Sequence, residues 1–234
     1  MTLQKCKFFG ENVSRINGVH FPFLIYYNQK GMITMPILEV TNVKKTYTAR
    51  IGAARVEALK NVTFTAEKGE YIAIMGESGS GKTTLLNILA ALDKPTGGKV
   101  ILDGADLSQL KEKETAKFRR DNLGFVFQDF NLLDTFTVRD NILLPLVLMG
   151  MNYGEMEKKL LPAAEKLGIS ALMDKYPYEI SGGQKQRTAA ARAMITEPKL
   201  LLADEPTGAL DSKASDELLA LIIKGKEGTA KFVF

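Results

Sequence analysis

Between positions 76 and 83 the chain reads Gly76-Glu77-Ser78-Gly79-Ser80-Gly81-Lys82-Thr83. This G-x-x-x-x-G-K-[ST] spacing suits one task, the holding of a chain of phosphates. Glycines let the backbone wrap close to an anion and turn its N–H groups inward. Lys82 can reach the β- and γ-phosphates, and the Thr83 hydroxyl can help hold Mg²⁺. Thr84 continues into the segment that follows. A second chemical element is the acidic pair Asp204-Glu205, which closes the apolar run Leu200–Ala203. Behind a phosphate loop, Asp204 would hold Mg²⁺ through water, and Glu205, one step beyond, would orient and deprotonate an attacking water. A third is Ser181-Gly182-Gly183-Gln184. Ser181 and Gln184 have the spacing of a capping box, but two consecutive glycines weaken a helix start and call for another reason. Free N–H groups at a helix N-terminus favour an anion, so a second phosphate-binding surface is expected there. One fold would struggle to bring both surfaces to one phosphate, so two chains should clamp a nucleotide between them.

These residues need rigid carriers, and the flanking sequence supplies them. The apolar run Tyr71–Met75 predicts a strand entering the phosphate loop, and Thr84–Leu92 predicts the helix leaving it. Leu123–Phe127 predicts a strand that delivers Gln128. Leu200–Ala203 reads as a buried parallel strand, and Ile180–Ile195 as a helix opening on the paired glycines. Strands are also expected over Ile37–Val43 and Val62–Phe64, joined through Tyr47 and a basic, small-residue loop. Pro95–Gly98 marks a turn before a short strand, Val100–Leu102. Lys111–Arg120 reads as a solvated helix. About 129–190 reads as a helical subdomain, with Val138–Met149 broken at Pro145. The fold class that emerges is α/β: a P-loop NTPase with a mostly parallel sheet core, an antiparallel β edge and a helical subdomain.

Composition bounds the rest. The 234 residues are 45% hydrophobic and 25% charged, ordinary for a globular chain with one sizeable core. Lys5, Lys7, Arg15 and Lys30 against Glu11 place three of the four net positive charges in the first 34 residues. The folded body is therefore near neutral, and no basic stripe with interleaved aromatics argues for nucleic acid. Cys6 stands alone, which rules out an intrachain disulfide and fits a reducing compartment. No apolar run approaches the ~20 residues that cross a bilayer. Residues 1–34 show no sustained period of two or 3.6, and organised sequence begins near Met35. They are expected to be an N-terminal extension, read as translated leader, ahead of a domain over 35–234. His20, the sole histidine, has no candidate co-ligands around it.

Taken together, residues 37–223 resemble the ATP-binding subunit of an ABC transporter. Gly76–Thr83 is similar to its Walker A motif, Gln128 to its Q-loop, Ile180–Gln184 to its signature and Leu200–Glu205 to its Walker B motif with catalytic glutamate. Ala209-Leu210-Asp211 resembles the D-loop, and Tyr47 stands where the family places an aromatic that stacks on adenine. The segments Asn122–Asp134, Asp140–Leu146 and Asp174–Pro177 resemble the bacitracin-export type. Asp204–Asp211 is shared with macrolide-export, lipoprotein-release and cell-division relatives. The resemblance implies ATP and Mg²⁺ as ligands, with Thr83, Gln128 and Asp204 serving the metal. Lys82 would bind phosphate, Glu205 would be the base, and Ser181, Gly182, Gly183 and Gln184 would face the other subunit's nucleotide. It further implies a homodimer coupled to an integral membrane permease, peripheral on the cytoplasmic face of the cell membrane. The apolar stretch Val138–Met149 would face the groove that receives the permease.

One departure stands out. The family's switch histidine follows a further strand, whereas here no histidine follows His20. Thr229–Phe234 would be the start of that strand in a C-terminally truncated chain, or a sequence diverged by a frame change. The expectations are an exposed sheet edge at the last strand and slow hydrolysis beside intact ATP binding. A hydrolysis-deficient fragment and a lipoprotein-release or division-type ATPase stay open as alternatives.

Overall fold

The computed structural model describes residues 4–7, 36–48, 55–208, 212–223 and 229–234. Strand β1 (Gln4–Lys7) is short; β2 (Leu38–Thr48) and β3 (Arg55–Ala66) then form a long antiparallel pair. In β2, Leu38 and Val40 point inward at the spacing of two that a pleated strand requires. A bulge follows, with Asn42 at φ 50°, and it shifts the alternation so that Val43 also faces the core. Tyr47 lies within β2, opposite Val56, where the sequence suggested a loop. Pairing across the hairpin carries both strands further than their apolar residues alone suggest. Residues 49–54 lie outside the described part.

β4 (Tyr71–Met75) leads through the glycine loop to α1 (Lys82–Leu89). β5 (Gly97–Leu102) and β6 (Ala105–Asp106) complete an antiparallel sheet in the order β3-β2-β5-β6. α2 (Glu112–Asn122) buries none of its residues, as its charged sequence implies, and hands over directly to β7 (Leu123–Val126). α3 (Val138–Leu148), α4 (Tyr153–Lys166) and α5 (Gly182–Met194) follow, then β8 (Leu200–Ala203), α6 (Ser212–Ile223) and β9 (Ala230–Val233).

The second sheet has the order β1-β4-β9-β8-β7, parallel from β4 to β7 and antiparallel only at β1. Among the described residues, three apolar cores hold the parts together. One spans both sheets and the buried face of α1 (Leu85, Leu86, Ile88 and Leu89). A second lies within the helical region, where Ile142, Leu146, Leu160 and Ile169 meet Ala191 and Ile195. The third packs Ala190 and Ala193 of α5 and Leu218 and Ile222 of α6 on the other face of β7 and β8.

Two expectations are corrected here. α3 runs unbroken through Pro145, because Ile142, Leu143 and Leu146 on both sides of the proline are anchored in the same core. That packing outweighs the lost N–H bond. The last strand is not a sheet edge either. β9 lies between β4 and β8, hydrogen-bonded on both sides, with Phe232 fully buried. The outer side of β4 is where Gln4–Lys7 pairs, with Cys6 opposite Ala73. Residues 1–34 carry no periodic sign of this strand. The rest of the proposed leader, His20 included, lies outside the described residues.

β9 also carries a cost that its composition conceals. Lys231 is 3% exposed, next to Tyr71 and Leu201 across the strands, and burial holds its pKa below the ordinary lysine value.

Candidate functional site

Parallel pairing puts the C-terminal ends of β4, β7 and β8 at one end of the sheet, with β9 between β4 and β8, and each delivers one element of the expected chemistry. From β4, the chain turns through Gly79 (φ 77°) and Gly81 (φ 92°), both in the left-handed region open to glycine. Gly81 is the N-cap of α1 and offers no side chain to its first-turn N–H groups. Those donors, with the positive end of the helix dipole, form an anion site. Lys82 is folded back, its Nζ donating to the carbonyls of Gly76 (2.7 Å) and Glu77 (3.0 Å). The Ser80 hydroxyl is buried without a partner, and a Cβ on Gly76 would come within 2.6 Å of it. A side chain at Gly76 would therefore force the Ser80 hydroxyl to turn away. Glu77, Ser78 and Thr83 are exposed, while Thr84 is half-buried.

From β8 come Asp204 and Glu205. Asp204 donates its backbone N–H to Val126 O (2.9 Å), fixing the carboxyl at the mouth between β7 and β8. Burial, and then the charge of Glu205, raise its pKa, while Lys82 pulls it back. Glu205 is exposed and sits at φ 41°, a conformation a β-carbon disfavours. It is held there by bonds from its N–H to Phe234 O (3.1 Å) and from Gly208 N–H to its own carbonyl (3.0 Å). Strain of this kind concentrates at functional positions. From β7 comes Gln128, whose Nε2 lies only 3.0 Å from where a Cβ on Gly208 would sit. The structure therefore brings Lys82, Gln128, Asp204 and Glu205 to one mouth.

The donor set there fits Mg²⁺. Among the described residues no cluster of three or more acidic, His or Cys side chains could cage a metal. Mg²⁺ in phosphate sites needs only one or two carboxylates, with phosphate oxygens and water making up the rest. One carboxylate (Asp204), one amide oxygen (Gln128) and one hydroxyl (Thr83) suit that role.

Tyr47 is 40% exposed and its hydroxyl donates to Asp93 Oδ2 (2.9 Å). Lys45 Nζ donates to Asp93 Oδ1 (2.6 Å) and lies 4.9 Å from the tyrosine ring centroid. Burial would raise the Asp93 pKa, but the bonds from Lys45 and Tyr47 outweigh it and hold the carboxyl below its usual range. The ring is thereby tethered to the segment that leaves α1.

The second glycine element stands apart. Ser181 caps α5: its Oγ accepts from Gln184 N (3.3 Å) and Gln184 Oε1 accepts from Ser181 N (2.9 Å). No hydrogen bond or ion pair among the described residues joins Ser181–Gln184 to Gly76–Thr83. Around Gly182 nothing lies within 4 Å of where a Cβ would be. Ala209-Leu210-Asp211 lie outside the described residues.

Sequence reasoning missed three polar side chains that hold this mouth together. Gln186, 1% exposed, donates to Pro206 O (2.6 Å), just past Glu205. Asn141, fully buried, accepts from Leu133 N and donates to the carbonyls of Leu133, Phe136 and Thr137. Arg192 donates to the carbonyls of Phe130 and Asn131. A lone asparagine in the apolar run of α3 was a readable signal; the other two gave none.

The sequence profile of ABC transporters matches residues 59–208. The chain belongs to the ABC transporter family. It is the ATPase subunit of a transporter, with the P-loop NTPase fold of that family. This ABC ATPase is 52% identical to the bacitracin export ATP-binding protein BceA of Halalkalibacterium halodurans over 79% of its own length and 72% of the relative's. It is 51% identical to the ABC transporter ATP-binding protein YxdL of Bacillus subtilis, over 78% and 70% of the two chains. Among solved structures, it is similar to the dimeric ATP-binding cassette MJ0796 of Methanocaldococcus jannaschii bound to ADP and Pi. There the TM-score is 0.74 at 40% identity, covering 84% of this chain and 86% of that one.

Proposed function

We propose that this ABC ATPase binds MgATP between Gly76–Thr83 of one copy and Ser181–Gln184 of a second, arranged head to tail. Loop N–H groups and Lys82 hold the phosphates, and Tyr47 stacks on the base. Thr83, Gln128 and Asp204 hold Mg²⁺, which would neutralise charge on the transferring phosphoryl group. Glu205 takes a proton from the water that attacks the γ-phosphorus as the β–γ bridging bond breaks. The observation that carries this reading is Gly182. It heads a helix whose cap is already satisfied, and among the described residues nothing lies close enough to require it to lack a side chain. Space and free N–H groups at that point suit a phosphate brought by another molecule. The dimeric assembly of the similar archaeal cassette supports the same arrangement.

Residues 35–234 then make up the ATP-binding domain, with its helical subdomain over about 129–190. The powered partner is an integral membrane permease, and the cargo class is a bacitracin-like peptide antibiotic. The likeness to the bacitracin export protein supports this, as do the exposed Val147, Leu148 and Met149 at the end of α3, which suit a permease contact. No helix among the described residues is long and apolar enough to cross a membrane, so attachment would run through that permease.

Size-exclusion of Glu205→Gln tests the core of the proposal. With saturating MgATP the 25.8 kDa chain should elute as a dimer, and without nucleotide as a monomer. A monomer in both conditions would overturn it. Bacitracin-stimulated hydrolysis that requires the copurified permease would test the cargo.

A further inference from the structure

Just after Gln128 the backbone does something costly. Phe130 (φ 60°) and Asn131 (φ 48°) are consecutive non-glycine residues in left-handed conformation. Such a pair persists only where the surroundings enforce it. Local bonds are part of the answer: Phe130 N donates to Phe127 O and Asn131 N to Asp129 O. The rest comes from α5. Arg192 Nη1 donates to Asn131 O (2.6 Å) and Nη2 to Phe130 O (2.8 Å), so one planar guanidinium spans both strained carbonyls. Among the described residues Arg192 has no carboxylate partner, and burial pulls its pKa below the ordinary value. A half-buried guanidinium whose hydrogen-bond partners among the described residues are these two carbonyls is a specific device. Asn141 closes the far end of the same segment, at Leu133 and Phe136. Upstream, the Gln128 side chain is packed against Gly208.

We propose that Arg192 is a positioning residue for Gln128: it clamps the left-handed turn at Phe130–Asn131 and thereby fixes where the Gln128 amide stands at the phosphate mouth. Lysine cannot replace it, because a single ammonium lacks the fork that meets two carbonyls at once. The inference deepens the reading of Gln128 as a Mg²⁺ ligand and rests on it. It also makes α5 a physical link, since the helix that starts at Ser181 holds the chain beside Gln128 through Arg192.

The test compares Arg192→Lys, Gln128→Ala, the double variant and Arg192→Lys with Asn131→Gly, all in the full chain. Hydrogen exchange should speed up at least tenfold at the Phe130 and Asn131 amides in Arg192→Lys. Exchange at Leu133, which is held by Asn141, should not change. Hydrolysis should fall about tenfold in kcat with KM within threefold, and the Mg²⁺ concentration for half-maximal ATP binding should rise. The double variant should be no slower than Gln128→Ala alone, since both changes act through one group. Asn131→Gly, which takes the left-handed turn freely, should restore part of the loss. Unchanged exchange at Phe130 and Asn131, or losses that multiply in the double variant, would overturn the clamp. Full activity in Gln128→Ala would overturn the role of Gln128 itself and the positioning claim with it. A slow Gln128→Ala beside a normal Arg192→Lys would overturn the clamp alone.

Discussion

Two glycine segments in this chain face opposite problems. Gly76–Thr83 is unfinished on its own: Gly79 and Gly81 adopt left-handed turns, its helix lacks a side-chain cap, and among the described residues the Lys82 ammonium donates only to carbonyls. Ser181–Gln184 is complete: its cap closes on itself, and Gly182 has no close neighbour. On the proposed reading, the first segment wraps its ligand and the second meets a ligand that arrives. The same residue types thus serve enclosure in one place and clearance in the other. Local geometry tells them apart where composition does not.

Damage to the enclosing segment should therefore be felt by one copy alone. Lys82→Ala is expected to lower hydrolysis by at least about 100-fold, the scale for loss of one donor to a developing charge. It should also weaken nucleotide binding by the monomer, measured by fluorescent-nucleotide titration. Monomer affinity at the wild-type level would show that the loop does not wrap the phosphates. Gly182→Val should act the other way. Valine and glycine are both poor helix formers, and the site is open, so stability should move by only about 0.5 kcal/mol. Monomer affinity should hold within about threefold, yet MgATP-dependent dimerisation in the Glu205→Gln background should vanish. If dimers persist, Gly182 does not face the partner's nucleotide. Tyr47→Ala should cost about 0.5–1.5 kcal/mol of stacking, roughly two- to twelvefold in affinity for the monomer. An equal loss for a nucleotide lacking an aromatic base would place the effect elsewhere.

The enclosing segment was readable because its chemistry is local. Strand, glycines, lysine and helix are contiguous from Tyr71 to Leu89, and each residue's role follows from its neighbours. The same holds for Leu200–Glu205 and for the Ser181 cap. What stayed hidden depends on distant pairing. Thr229–Phe234 reads as strand from composition, but its insertion between β4 and β8 is decided by hydrogen bonds to two segments far away in sequence. Pro145 signals a break locally, and the core around Ile142 and Leu146 overrules it. Arg192 looks like any cation on an amphipathic helix until the turn at Phe130–Asn131 is known. An asparagine beside an aromatic after Gln128 is too faint a sign of a left-handed pair.

The finest separation of the two segments lies in Ser181, where the local and the intermolecular roles share one hydroxyl. The cap is the Oγ bond from Gln184 N, answered by Gln184 Oε1 on Ser181 N. Ser181→Ala removes it and should cost about 1 kcal/mol in urea unfolding. Ser181→Asp keeps an acceptor at the cap and sets a negative charge at the positive end of α5, so stability should be held or rise by a few tenths of a kcal/mol. Were the segment only a helix start, aspartate would be the harmless change and alanine the harmful one. Facing a phosphate, the order reverses: the carboxylate repels the arriving anion, so dimerisation with MgATP should be lost in Ser181→Asp and only weakened in Ser181→Ala. Dimers of Ser181→Asp at wild-type strength would reduce the signature to a cap and leave the clearance at Gly182 without a purpose.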